Sequence, residues 1–258
     1  MSALTDLVFK FRYLFRGVPV SIEGAPLRLD ESLRRWNIDG EEALQKELRS
    51  RIKPGDLVVD IGANFGIHTL FAAHLVGASG QVVAFEPVPA NLALLRRNLH
   101  LSKLTNRVDI QAAAVSNSRD ATLEIFCPDE AVAVTASLAD ETGTGTPVQV
   151  ANLRLEEFEF PDGRAPAVIK IDVEGAEFEV LKGARGLLAR DSPVLLIEIH
   201  EYALGDFRTS VAELETFLAD LGYHGSRLSA PTLEREDYYQ AVFEKNQSTN
   251  RRDANSDR

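Results

Sequence analysis

Four short apolar runs end on, or lead directly into, a side chain that can hold or move charge. These are Asp60 in "LVVDIG", Glu86 in "VVAFEP", Asp172 in "VIKIDVEG" and His200 in "LLIEIHE". The first continues into Gly62 and Gly66, with Ala63, Asn64 and Phe65 between them. A glycine turn between a strand and a helix lets a ligand approach the backbone, because no Cβ intervenes. Amide hydrogens at the helix start and the positive end of its dipole suit a carboxylate or other electron-rich group. Asn64 tolerates unusual backbone angles and offers an amide, and Asp60 suits an ammonium. Glu86 lies twenty residues past Gly66 on the next apolar run, placed to accept hydrogen bonds from a ribose diol. The glycine spacing is G-x-x-x-G, not G-x-G-x-x-G, and neither Tyr-x-x-x-Lys nor Gly-Lys-Ser/Thr occurs. A nucleoside-type ligand is therefore expected, and nicotinamide dinucleotides and a phosphate loop are disfavoured.

Asp172 and Glu174 follow a third run, and two nearby carboxylates suit a hard cation. Glu177 and Glu179 continue that acidity into a helix, where first-turn acids are favoured by the dipole alone. No metal is assigned on this basis. The five histidines, at 68, 74, 100, 200 and 224, show no ligand spacing, and "HEYAL" has Leu204 where a second zinc-binding histidine would stand. His200 carries two readings, a base in the pocket or a hydrogen-bonded residue closing its strand. His68 falls in the first turn of a helix and reads as structural, and Trp36 reads as core packing.

The elements that position these residues alternate. "VPVSIEGAPLRLD" reads as a hairpin turning near Gly24, and "GEEALQKELRSRI" as a helix with Ala43, Leu44, Leu48 and Ile52 on one face. Strand "LVVDIG" precedes a helix from about Ile67 to Val76, and "QVVAFEP" precedes "PANLALLRRNLHLS". "VDIQAAAV" reads as a third strand. Beyond a β-rich, Gly/Thr/Pro-rich middle from Asn117 to about 150 come strand "PAVIKIDVEG", helix "EFEVLKGARGLLAR" and strand "PVLLIEIHE". The helix "SVAELETFLADLGY" and two last strands, "SRLSA" and "YYQAVFEK", complete the chain. Apolar strands alternating with amphipathic helices specify an α/β domain with a largely parallel sheet covered on both faces. Function in such sheets gathers beyond the carboxyl ends of the strands, where all four singled-out residues fall.

Residues 1–40 read as an N-terminal helix and hairpin extension, 41–245 as the main domain, and 246–258 as a disordered polar tail. The N-terminal "LTDLVFKFRYLF" has helical apolar spacing with few basic residues. Packing on its own domain is the leading reading, with weak membrane-surface association as the alternative. No run is long enough to span a membrane. The net charge of -11 repels phosphate backbones, and no Asn/Asp-Pro-Pro-Tyr/Phe motif is present, so nucleic acid is not an expected partner. The single cysteine, Cys127, excludes an internal disulfide and fits a reducing, cytoplasmic setting.

"VVDIGANFGIHTL", "VVAFEPVPANLALLRRNL", "AAAVSN", "VIKIDVEGAEFEVLKGA" and "VLLIEIHEY", in that order, resemble the FkbM-type S-adenosylmethionine-dependent methyltransferases. The resemblance runs from about Glu41 to Tyr202, with looser likeness of architecture to Lys245. One departure is Glu156, where the family usually has aspartate. The resemblance implies a Rossmann-like class I methyltransferase sheet of seven strands with an antiparallel last strand. It further implies that Asp60, Gly62, Ala63, Asn64 and Gly66 hold the methionine part of the donor and Glu86 its ribose. Pro87, Ala113 and Ala114 would border the adenine, and Asp172 and Glu174 would sit near the methyl-transfer point. Asp172 is also expected to touch the donor, with His200 the first candidate for the catalytic base and Glu174 the second. The expected activity is O-methylation of a small metabolite, sugar or polyketide-like acceptor. A nucleotide-dependent enzyme of another class (a nicotinamide oxidoreductase or metal-dependent glycosyltransferase) and an idle donor-binding protein stay open beside it.

Overall fold

A computed structural model describes residues 13–34, 41–127, 146–228 and 237–245. The N-terminal helix before Tyr13, Trp36, most of the Gly/Thr/Pro-rich middle and the polar tail lie outside the described residues.

The chain opens with the hairpin β1 (Val18–Ile22) and β2 (Ala25–Leu29). Its two-residue turn, Glu23 and Gly24, has φ of 46° and 80°, the sign that matches the twist of antiparallel strands. Next come α1 (Glu42–Arg51), β3 (Leu57–Ile61), α2 (Ile67–Leu75), β4 (Gln81–Phe85), α3 (Pro89–Ser102) and β5 (Val108–Gln111). A small sheet follows, with β6 (Ala113–Val115), β7 (Thr122–Cys127) and β8 (Thr146–Leu153) in the order β6-β8-β7. The chain ends with β9 (Val168–Ile171), α4 (Glu177–Gly183), α5 (Arg185–Asp191), β10 (Val194–His200), α6 (Glu201–Leu204), α7 (Val211–Asp220), β11 (Tyr223–Arg227) and β12 (Tyr238–Lys245).

The main sheet has seven strands in the order β11-β12-β10-β9-β3-β4-β5. All neighbours inside it pair in parallel except β12, which is antiparallel to β10 and β11. Every residue of β3 and β9 is buried, which is why these strands read as unbroken apolar runs. Successive side chains point to opposite faces. Thus Val58 joins Leu44, Leu70 and Leu95 on one side, while Leu57, Val59 and Ile61 join Val180, Leu187 and Leu214 on the other. The hairpin is part of the first core, through Ile22, Ala25, Leu27 and Leu29.

Three elements differ from the sequence reading: the strand expected over "SRLSA" is β11, Tyr223–Arg227, and two further differences concern a strand and a helix. "VDIQAAAV" is not one strand: β5 stays in the main sheet, whereas β6, after Ala112, pairs with β8. The helix "EFEVLKGARGLLAR" breaks at Ala184. Beside the break Gly183 packs so close to the end of β6 that a Cβ would sit 2.1 Å from the Ser116 carbonyl oxygen. Both differences arise from tertiary contact, which local periodicity does not register.

Candidate active site

Beyond the carboxyl ends of β3, β4 and β9 lies a cleft of about 690 Å³. Gly62, Asn64, Glu86, Pro87, Ala113, Ala114, Asp172 and Glu174 all line it, with Phe85, Val88, Asn91 and Ile125 among the remaining walls. Asp60, Ala63, Gly66 and His200 do not line the cleft; they stand behind its surface.

The strand-to-helix loop is fixed from within. The amides of Gly62 and Ala63 both donate to the Phe85 carbonyl at 3.0 Å, and Gly66 N–H donates to Ala63 O at 2.9 Å. Asn64 N–H goes to Glu86 Oε2 and Phe65 N–H to Asn64 Oδ1, each at 2.8 Å. These amides are therefore spent on the neighbouring strand end and within the loop, and the loop acts by shape more than by offering donors to a carboxylate. Gly62 has φ of 78°, and a Cβ there would lie 1.7 Å from the Asp172 carbonyl oxygen. The glycine thus lets the loops after β3 and β9 touch. Asn64 takes the left-handed conformation foreseen for it, with φ of 51°.

Glu86 is the acid of the cleft's apolar half. Its Oε1 accepts from Val88 N–H at 2.8 Å and from Asn91 Nδ2 at 3.4 Å, and its Oε2 from Asn64 N–H. Burial outweighs these hydrogen bonds and pushes its pKa up to about 7.

Behind Asp172 and Glu174 the protein is dense in charge. Lys170, 3% exposed, reaches Asp172 Oδ2 at 3.0 Å, Asp60 Oδ1 at 3.7 Å and Glu198 Oε1 at 3.8 Å. Burial opposes its charge, but the three carboxylates prevail and raise its pKa. Asp60 also accepts from Thr69 Oγ1 at 2.5 Å. It is therefore already paired by Lys170 and Thr69, beneath the glycine loop. Burial and the Asp172 charge lift Glu198 to about 8, and the Tyr238 hydroxyl donates to it.

His200 is set by Glu177. Its Nδ1 lies 2.7 Å from Glu177 Oε1, which also accepts from Gly175 N–H at 2.9 Å. The Nε2 atom faces Glu174 Oε2 at 3.5 Å and Asp172 Oδ1 at 3.9 Å. Burial would lower the His200 pKa, but the Glu177 hydrogen bond and the surrounding carboxylates drive it up to about 10. In this arrangement the ring is a cation that holds two carboxylates, and it is not poised to accept a proton. Asp172 is held below the ordinary carboxylate value because Lys170 and His200 overcome the effect of burial, whereas burial and Asp172 raise Glu174. Glu174 has φ of 49°, a left-handed conformation that costs a non-glycine residue roughly 1 kcal/mol. That turn aims its carboxylate at the cleft, where the Tyr202 hydroxyl donates to Oε2 at 3.0 Å. His68, read as structural, forms an ion pair with Glu41 at 2.9 Å.

Lys170, Glu177, Glu198 and Tyr202 were not singled out from the sequence. A signal existed for two of them. A lysine inside "VIKID" and a glutamate inside "LLIEI" sit in runs apolar enough to be buried on both faces, and buried charges need partners. Glu177 had only the look of a helix-start acid, and nothing local marked Tyr202.

The strand order, with one antiparallel strand inserted beside the edge, defines a class I methyltransferase fold, and the cleft lies where such folds bind ligands. Residues 60–224 match the methyltransferase FkbM domain, so the chain belongs to the FkbM family of S-adenosylmethionine-dependent methyltransferases. It is 33% identical over 185 residues to the 31-O-demethyl-FK506 methyltransferase FkbM of Streptomyces tacrolimicus, covering 60% of this chain and 70% of that protein. It is 29% identical over 173 residues to the hexuronic acid methyltransferase AglP of Haloferax volcanii, covering 67% of each. A solved S-adenosylmethionine-dependent O-methyltransferase from Thermotoga maritima shares the fold, with a TM-score of 0.50 and 14% identity over 91% of this chain and 80% of that one. The described residues contain no helix long and apolar enough to cross a membrane.

Proposed function

We propose that the cleft binds S-adenosylmethionine and that the protein methylates a hydroxyl of a small acceptor. One observation carries this reading: a buried acid, Glu86, and an acidic pair, Asp172 and Glu174, line one cleft together with apolar side chains. The donor set fits the ligand. Glu86 would accept from the ribose hydroxyls, and Pro87, Ala113 and Ala114 offer a flat wall for adenine. Asp172, beside the glycine loop, would face the positively charged methionine end. Asp60, Ala63 and Gly66 act from behind, shaping the loop that Gly62 and Asn64 present.

The donor supplies an electrophilic methyl on a sulfonium. The acceptor oxygen forms the new bond to that methyl carbon as the carbon–sulfur bond breaks, leaving a methyl ether, a neutral thioether and one proton. Positioning the two partners in line accounts for much of the rate. The proton would pass to Glu174, whose carboxylate lines the cleft and is held by Tyr202 and His200. Two relatives, a 31-O-demethyl-FK506 methyltransferase and a hexuronic acid methyltransferase, support an oxygen acceptor on a small molecule. A net charge of -11 argues against a nucleic acid substrate. This reading treats residues 41–245 as the methyltransferase domain, 1–40 as an extension, 246–258 as a tail, and the protein as cytoplasmic.

The experiment is titration calorimetry with S-adenosylhomocysteine and NAD, followed by methyl transfer from labelled donor to a panel of sugars, sugar acids and hydroxylated metabolites. S-adenosylhomocysteine should bind and, at 100 times its Kd, add ~2.7 kcal/mol to stability. Binding of NAD alone would overturn the assignment.

A further inference from the structure

Asp172, Glu174 and His200 come from the loop after one strand and the end of the next, and they converge as metal ligands do. One ligand atom from each lies within 4.8 Å of the others. The His200 Nε2 distances, 3.5 Å to Glu174 Oε2 and 3.9 Å to Asp172 Oδ1, exceed the 2.7–2.9 Å of a charge-assisted hydrogen bond. They match the spacing of atoms that share one ion at ~2.0–2.3 Å each.

Each of the three is also oriented from its far side. Glu177, fully buried, holds His200 Nδ1 at 2.7 Å, which points Nε2 at the carboxylates. Lys170 holds Asp172 Oδ2 at 3.0 Å and leaves Oδ1 facing His200, while Tyr202 steadies Glu174. Outer contacts of this kind orient metal ligands. A separate observation points to a missing positive charge. Glu177 Oε2, Glu198 Oε1 and Asp60 Oδ1 are buried carboxylate oxygens without a hydrogen-bond partner. Asp60 Oδ1 and Glu198 Oε1 lie 3.7 and 3.8 Å from Lys170, so Lys170 and His200 together face five carboxylates, those of Asp60, Asp172, Glu174, Glu177 and Glu198.

We propose that Asp172, Glu174 and His200 bind one divalent cation, which displaces the Nε2 proton of His200 to solvent, and that this ion takes an oxygen of the acceptor next to the methyl-transfer position. The inference rests on the methyltransferase reading for the acceptor, but not for the ion. One imidazole with two carboxylates is a mixed nitrogen and oxygen set, which suits Mn²⁺ better than Mg²⁺. Three protein ligands leave positions open. An acceptor with two adjacent oxygens, such as a vicinal diol or a hydroxy acid, would fill two of them and be held with one hydroxyl towards the donor. Coordination lowers the pKa of that hydroxyl, so its proton leaves before or as the carbon–oxygen bond forms. The sequence showed the Asp172-x-Glu174 pair but did not join His200 to it, because two helices separate them.

The test uses the full chain freed of metal by a chelator and titrated with Mn²⁺, following free Mn²⁺ by electron paramagnetic resonance. One ion per chain should bind with micromolar affinity, more tightly than Mg²⁺. Glu174→Gln and His200→Gln should each weaken it at least about tenfold, with unchanged circular dichroism. No saturable binding up to millimolar Mn²⁺, or wild-type affinity in both folded variants, would overturn the site. S-adenosylhomocysteine is titrated separately with chelator present. Binding there without any Mn²⁺ site removes the ion and keeps the methyltransferase reading. A Mn²⁺ site without S-adenosylhomocysteine binding does the reverse.

Discussion

The Glu86 wall of the cleft and the charged group behind Asp172 and Glu174 are built by different means, and they form the two halves of the site. Around Glu86 the walls are apolar, one acid is present, and its oxygens are held by backbone amides of the adjoining loops. Around Lys170 five acids and a histidine face one another at 2.7 to 3.9 Å, and the contacts join side chains from strands distant in sequence. The first half is a shaped slot with one point of charge, suited to a constant ligand such as a cofactor. The second is an electrostatic field, suited to moving charge and to holding a variable partner. Removing one group should therefore be felt locally in the first half and collectively in the second.

The largest effect should come from the centre of the field. Lys170→Met removes the buried cation shared by Asp60, Asp172 and Glu198 and leaves those charges uncompensated. Breaking a buried pair in this way typically costs ~3–5 kcal/mol. Urea denaturation should show a loss of that order at pH 8. A loss below about 1 kcal/mol, a surface-pair value, would mean that the field is not held together by Lys170, and the contrast between the halves would fail.

Glu86→Ala is the matching test of the slot. Hydrogen bonds to a charged group contribute about 1.5–3 kcal/mol each, so S-adenosylhomocysteine affinity should fall tens-fold or more with the fold intact. Calorimetry giving unchanged affinity would remove Glu86 from the donor site.

The same residue sets a pH dependence. Its folded pKa of about 7 lies above the ordinary 4.5, so the folded chain retains a proton that the unfolded chain releases. Stability from this group is fully present below pH 4.5 and is lost as pH rises through 7. Donor affinity runs the other way, because only the ionised carboxylate accepts from both ribose hydroxyls. It should approach a tenfold drop for each pH unit below 7, levelling off only when pH falls below the pKa of Glu86 in the donor complex. In Glu86→Gln both slopes should flatten. A donor affinity independent of pH from 5 to 8 in the wild type would count against the ribose role.

What was legible in the sequence follows the same division. The slot is built from consecutive residues at strand ends, so "DIGANFG" and "FEP" announce it, and the alternation of strands and helices gives the sheet. The field depends on strand order. Lys170 meets Asp60 and Glu198 only because β9 lies between β3 and β10, and nothing in "VIKID" says which strands flank it. His200 could be placed at a strand end, but its charge state depends on Glu177, 23 residues away. The spent amides of the glycine loop were likewise invisible, since their acceptor, the Phe85 carbonyl, belongs to the neighbouring strand.

The smallest expected effect is also the finest test of the boundary. Tyr202 donates to Glu174 Oε2 at 3.0 Å from a half-buried position. In Tyr202→Phe water can replace the lost hydroxyl, so stability should fall by only ~0.5–1.5 kcal/mol, the net value of one hydrogen bond. Glu174 would keep its place but lose its fixed orientation. Turnover should then drop several-fold once an acceptor is known, while donor affinity, governed by the other half, should stay within about threefold, a change under 1 kcal/mol. Single-turnover methyl transfer beside calorimetry with S-adenosylhomocysteine separates the two. If Tyr202→Phe weakens the donor as much as it slows transfer, the charged end is also part of the donor site, and the cleft is one recognition surface, not two.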